Sequence, residues 1–114
     1  MDLASLARAY YRHVDDGEYD ALADLLAASF VHDRPDRTIE SRERFVRFMR
    51  EERPETDTSH ELDAVYSDEE TGDGSREVAV RGRLLRADGS EWFGFVDVFT
   101  VEAGRFARLT TYTH

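Results

Sequence analysis

Apolar residues recur at helical intervals in the first half of the chain and at alternate positions in the second. Leu3, Leu6, Ala7, Tyr10 and Val14 share one face of a helix from Asp2, its N-cap, to Asp16, with Gly17 just past its end. Tyr19, Leu22, Leu25 and Leu26 form the stripe of a second helix over Glu18 to Ala28, with Asp20 and Asp24 facing water. The two make a helical hairpin. Phe30, Val31, His32, Asp33 and Arg34 read as a short strand closed by Pro35, which cannot donate to a ladder, and Phe30, His32 and Arg34 share a face. Thr38 to Glu40 suit a brief pairing, and Ser41 then caps a third helix that runs to about Arg53 and is stopped by Pro54. Its buried stripe is Phe45, Val46, Phe48 and Met49, and the arginines and glutamates between them form a solvated face with i,i+4 pairs.

From Thr58 the period is two. His60, Leu62, Ala64 and Tyr66 alternate with Ser59, Glu61, Asp63 and Val65 in a strand that ends in the polar turn Asp68 to Ser75. Arg76 to Arg86 is the next strand, with Val78, Val80, Gly82 and Leu84 on one face, and Ala87 to Ser90 is its hairpin turn. Glu91 to Val101 follows, then the turn Glu102 to Gly104 and a last strand from Arg105 to Thr113. In the strand Glu91 to Val101, Phe93, Phe95, Asp97, Phe99 and Val101 look one way and Trp92, Gly94, Val96, Val98 and Thr100 the other. A carboxylate amid such apolar neighbours costs several kcal/mol if buried without partners, or takes up a proton, so Asp97 points to a cavity with polar partners.

Three N-terminal helices, with a short strand between the second and third, and then a meander of long strands make an α+β chain: helices packed on a strongly curved, mainly antiparallel sheet. One sheet face holds the helices. The other leaves Val96, Val98, Phe106 and Tyr112 to be covered, which predicts a homodimer through that outer face.

With 114 residues the chain is one domain, 1–114, large enough for a single core. A formal net charge of −10 argues against nucleic acid or an anionic membrane surface as partner. All 15 basic residues are arginine, a balance that resembles the proteins of salt-in halophiles and also follows from a GC-rich genome. Without cysteine there is no disulfide or thiolate chemistry. No signal-length or membrane-spanning apolar run is present, so the expected location is the cytoplasm.

The element order, together with Asp16 to Leu22 at the helix hairpin, Phe30 to Pro35 at the first strand, and Val96 to Phe99 followed by Gly104 to Phe106, resembles the nuclear transport factor 2-like superfamily. Within it the likeness is to SnoaL-like and ketosteroid isomerase-like proteins, and it covers essentially the whole chain. The resemblance implies a cone-shaped fold with a central pocket, lined here by Phe30, Val80, Gly82, Leu84, Phe95, Phe99 and Leu109 beside Tyr10, His32, Arg34 and Asp97. In ketosteroid isomerases a tyrosine of the first helix and an aspartic acid of the penultimate strand donate hydrogen bonds to a developing oxyanion, positions matched by Tyr10 and Asp97. The general-base aspartate that precedes a proline in those enzymes is Arg34 here, which removes that base. Asp33, one residue earlier, points to the opposite face of a regular strand.

Two functions follow. One is a cofactor-independent lyase, isomerase or hydrolase acting on a small apolar molecule, with Asp97 and His32 as acid and base and Tyr10 and Arg34 polarising an oxygen. The other is a non-catalytic binding or dimerisation domain in which Arg34 neutralises Asp97. His60 carries less signal than His32. No spacing suits a metal, and the glycines form no phosphate loop, so neither metal nor cofactor is expected.

Overall fold

The computed structural model describes residues 2–68 and 76–114. The first helix, α1 (Leu3–Asp15), starts where Asp2 accepts a hydrogen bond from the Ser5 N–H at 2.7 Å. The second, α2 (Tyr19–Asp24), is shorter than the apolar spacing predicts. Strand β1 (Leu26–Asp33) already begins at Leu26, because Leu25 and Leu26 are drawn into the sheet and Phe106 N–H donates to the Leu25 carbonyl at 2.8 Å. Strand β2 (Thr38–Glu40) pairs antiparallel with β1, as expected. Helix α3 (Arg42–Glu51) follows, its first turn capped by the Ser41 hydroxyl, which accepts from Arg44 N–H. The helices are thus not grouped at the N-terminus, since α3 comes after two strands.

Strands β3 (Ser59–Asp68), β4 (Arg76–Leu85), β5 (Glu91–Glu102) and β6 (Arg105–Thr113) form the antiparallel meander. Apart from Asp68, the predicted polar turn before β4 lies outside the described residues. The sheet is six-stranded and mixed, in the order β2-β1-β6-β5-β4-β3, because β1 pairs parallel with β6. This is an α+β fold with helices against a mixed sheet.

Bulges decide which side chains meet. Along β3 the register slips between Leu62 and Ala64, so Val65 turns toward the core and Tyr66, expected on the face of His60, is 58% exposed. Near the β5–β6 turn, Val101 opposes Phe106 but Thr100 opposes Arg108, and the extra residue, Ala107, brings Thr111 rather than Thr110 opposite Asp97.

A cluster of rings fills the interior under the helices. Tyr10 lies 5.1 Å from Phe99 and 6.1 Å from Phe106, and Phe30 lies 5.0 Å from Phe45, all centroid to centroid. Burying this many aromatic side chains provides most of the driving force at this end of the sheet. Gly82 belongs to the same packing: a Cβ there would come within 2.9 Å of the Phe95 ring and 2.5 Å of the Glu61 carbonyl, so glycine lets β3 and Phe95 close in.

Candidate functional site

Asp97, in the middle of β5, is only 6% exposed and lies in the wall of a cavity of about 210 Å³. Its carboxyl group is held by two hydroxyls. Tyr11 donates to Oδ2 at 2.6 Å, and Thr111 donates to Oδ1 at 2.6 Å. Thr111 Oγ1 in turn lies 2.8 Å from His32 Nε2. Since the one hydroxyl hydrogen of Thr111 goes to Asp97, the neutral His32 ring carries its hydrogen on Nε2 and donates to Thr111. His32 Nδ1 is then a lone pair. It is sealed from solvent without a hydrogen-bond partner, a smaller penalty than an orphaned N–H. The relay therefore has one direction, from His32 through Thr111 to Asp97.

Electrostatics follow from burial. Removal from water pushes the Asp97 pKa up, and the hydrogen bonds from Thr111 and Tyr11 pull against that rise. Burial, reinforced by the positive field of Arg34, lowers the His32 pKa to about 3. With one nitrogen engaged by Thr111, the other sealed and its pKa lowered, the ring is poorly placed to take a proton from a ligand. Tyr10 and Tyr11 both have pKa values raised by burial, with Asp97 adding to the rise, so both hydroxyls stay protonated as donors.

Of the two neighbouring tyrosines on α1, Tyr11 is the one hydrogen-bonded to Asp97. Tyr10 lines the cavity, and its hydroxyl makes no hydrogen bond among the described residues while not being sealed off, so it faces the cavity as a free donor.

Arg34 also lines the cavity, but its Nε is 3.3 Å from Asp36 Oδ1 and its guanidinium sits 5.0 Å over the Phe48 ring. It makes no hydrogen bond to Asp97. The neutralising pair weighed from the sequence is absent among the described residues. Asp33 points away, as expected, accepting from Thr38 and pairing with Arg108.

Of the predicted lining, Leu84 and Phe95 face the cavity. Phe30, Val80, Phe99 and Leu109 are instead fully packed in the core, and Gly82 lies beneath Phe95. The ring cluster around Tyr10 occupies the space they were expected to enclose. The cavity opens beyond it, toward Phe48, Met49 and Arg53 at the end of α3 and Trp92 and Phe93 at the start of β5.

His60, given little weight from the sequence, lines the same cavity and is held by Asp15 at the end of α1. The carboxylate takes the His60 backbone N–H at 2.9 Å and ring Nδ1 at 2.6 Å. Tyr11 stands between the two acidic centres, its ring 5.0 Å from that of His60 and its hydroxyl on Asp97. Among the described residues no three acidic, imidazole or thiol side chains converge to hold a metal ion, and no helix is long and apolar enough to cross a membrane.

Solved structures share this arrangement of elements. An NTF2-like protein of unknown function from Cytophaga hutchinsonii superposes with a TM-score of 0.79 at 15% identity, covering 100% of this chain and 91% of its own. A protein provisionally assigned as a polyketide cyclase from Sinorhizobium meliloti gives 0.78 at 23% identity, covering 98% and 97%. Another, provisionally assigned as a ketosteroid isomerase from Kribbella flavida, gives 0.75 at 24% identity, covering 96% and 76%. At these identities the likeness concerns the fold. No curated protein matches the chain. Residues 7–109 match the SnoaL-like domain, and the chain belongs to that family, within the NTF2-like fold.

Proposed function

We propose that this chain, as one domain over residues 1–114, is a small-molecule pocket protein of the SnoaL-like type. In this reading it is a cofactor-independent lyase, isomerase or hydrolase that uses acid/base chemistry on a small apolar substrate, held where the curled sheet and its helices form the open end of a cone. One observation carries the reading: Asp97 is a buried carboxyl in a cavity wall, held by hydroxyls and, among the described residues, by no cation. A structural aspartate would be expected to meet an arginine, whereas a carboxyl with a raised pKa and free lone pairs toward a cavity is suited to give a proton or hydrogen bond to a substrate oxygen.

The remaining roles follow from contacts. Tyr11 and Thr111 fix the carboxyl group, and His32 fixes Thr111. A proton on Asp97 directed at Thr111 would force the His32 ring into the tautomer whose N–H has no partner, so that proton is directed at the ligand instead. Tyr10 supplies a second donor, and Arg34 places positive charge at the cavity edge. Phe93, Phe95, Trp92 and Met49 give apolar walls. At about 210 Å³ the space suits a ligand smaller than those of drug-sized sites, roughly 300–1,000 Å³. The assignments of the Kribbella and Sinorhizobium proteins as isomerase and cyclase are of the same chemical kind.

The test needs no knowledge of the natural substrate. Small ketones such as phenylacetone are incubated with the protein in D2O, and loss of the α-proton signals is followed by NMR. The expected result is exchange faster than buffer catalysis, reduced in Asp97→Asn and Asp97→Leu. Binding of the ketones without exchange would establish the non-catalytic binding domain instead.

A further inference from the structure

We infer that His60 is the general base of this cavity, with Asp15 as the residue that positions it, and that the substrate is a carbonyl compound bearing an acidic C–H beside the carbonyl. The inference rests on the acid/base reading of the cavity. It starts from the two-point grip of Asp15 on His60, through the backbone N–H at 2.9 Å and ring Nδ1 at 2.6 Å. Asp15 and His60 are 45 residues apart, joining the end of α1 to the start of β3. An ionised carboxylate only accepts hydrogen bonds, so Nδ1 carries the hydrogen and Nε2 presents a lone pair.

That lone pair is available. Nε2 has no hydrogen-bond partner among the described residues, and His32 Nδ1 is the one described side-chain nitrogen or oxygen that is both sealed and unpartnered. His60 therefore differs from His32 in the respect that matters for proton transfer. An imidazole with one nitrogen on a carboxylate and the other open to a cavity has the tautomer a general base requires, and the carboxylate stabilises the imidazolium it becomes.

Its partner in catalysis is Asp97, on the far side of Tyr11, whose ring lies 5.0 Å from that of His60, tilted by 52°, and whose hydroxyl bonds the Asp97 carboxyl. A substrate in the cavity that His60, Asp97 and Tyr10 all line meets a base at one end and hydrogen-bond donors at the other. Nε2 takes the α-proton, and the C–H electron pair becomes the carbon–carbon double bond of an enolate. The carbonyl π pair moves to oxygen, where Asp97 and Tyr10 donate hydrogen bonds. Return of the proton from Nε2 to a different carbon gives an isomer, and departure of a β-hydroxyl with the Asp97 proton gives a lyase. Neither outcome needs an oxidant or a further reactant.

The test follows phenylacetone exchange in D2O together with the ring nitrogens of 15N-labelled protein. Nε2 should show the shift of an unprotonated ring nitrogen in the neutral wild type, and Asp15→Asn should shift the tautomer toward a mixture. Exchange should fall on the order of 10²–10⁴-fold in His60→Gln and by less in Asp15→Asn, with His60→Asn as a second variant should the first fold poorly. Exchange lost in Asp97→Asn but retained in folded His60→Gln overturns His60 as the base and leaves the acid/base reading standing. A hydrogen on Nε2 of neutral wild-type His60 overturns it whatever the rates. Absence of exchange in the wild type overturns both.

Discussion

The Tyr11 hydroxyl donates to Asp97 Oδ2 at 2.6 Å, while Tyr10, one residue earlier on the same helix, makes no hydrogen bond among the described residues and faces the cavity. The two tyrosines therefore have separable roles. Tyr11→Phe removes a donor from a buried carboxyl and is expected to destabilise the fold by about 1–3 kcal/mol and to raise the Asp97 pKa further. Tyr10→Phe removes a hydroxyl with no protein partner among the described residues and should cost less than about 1 kcal/mol, yet slow ketone exchange. Urea melts and an NMR titration of the Asp97 carboxyl carbon check both. Equal losses of stability would remove the distinction.

His32 and Asp97 give stability opposite dependences on pH. The His32 pKa is lowered to about 3, from about 6.5 in the unfolded chain. The unfolded state therefore gains a proton first, and this contribution is full above pH 6.5 and lost as pH falls, by about 1.4 kcal/mol per unit. The Asp97 pKa is raised, so its contribution is full below the unfolded value of about 3.9 and lost as pH rises through the folded value. The two partly cancel in the wild type. Between about pH 4 and 6 the stability difference between wild type and His32→Gln should grow with pH, and that between wild type and Asp97→Asn should shrink as pH rises from about 4 toward the raised folded pKa of Asp97. A difference for His32→Gln that does not change with pH would mean the ring is not held neutral.

Much of the fold is legible from periodicity, and the reasons for the exceptions are local. The caps of α1 and α3, the meander and the inward face of β5 all follow from spacing and turn residues. The parallel β1–β6 pairing joins residues far apart in sequence, and nothing in either strand announces it. Asp97 is conspicuous in the sequence because its neighbours are so apolar. Its partner Thr111 is not, since an unbulged hairpin would put Thr110 opposite and the slip at Ala107 has no sequence mark. Asp15 and His60 each fit an ordinary amphipathic pattern, and only the closure of α1 onto β3 brings them together. The likeness to isomerases implied Tyr10 beside Asp97 at the cavity, and both line it; it carried no sign of Tyr11, one position and about 100° further round the helix, whose hydroxyl holds the carboxyl.

Arg34 pairs with Asp36 at the surface, not with Asp97 in the interior. Exposed pairs of this kind contribute about 0.2–1 kcal/mol. A double-mutant cycle on Arg34→Gln and Asp97→Asn should therefore be additive to within about 0.5 kcal/mol. A coupling of several kcal/mol would restore the neutralising ion pair and with it the binding-domain reading.

Charge repulsion should make the fold respond to salt. With 25 acidic residues against 15 arginines the native surface repels itself, while ion pairs such as Arg83 with Glu61 and Asp63 are half-exposed and individually weak. Screening is substantial once the Debye length falls to about 10 Å, near 0.1 M salt. The melting temperature is expected to climb over that range and to keep climbing into molar KCl if the surface is of the halophilic kind. A constant melting temperature would remove that reading.

The outer face of the sheet supplies the last prediction. On β5, Val96 and Val98 point away from the core and remain half-buried, and Tyr112, opposite Val96 on β6, is 58% exposed, whereas Phe106, expected on this face, is buried against Tyr10 and Phe99. An apolar strip across two central strands is poorly matched to water, and a second copy applied by a two-fold axis would bury it isologously. The expected state is a homodimer with about 1,600 Å² of total buried area. Val98→Glu and Tyr112→Asp should convert it to a monomer without disturbing the cavity on the opposite face, so exchange activity per chain is expected to survive. Light scattering at micromolar protein and high salt decides the matter, because screening removes the repulsion between two chains that each carry a formal charge of −10. A wild type that stays monomeric under those conditions leaves the strip without its proposed partner.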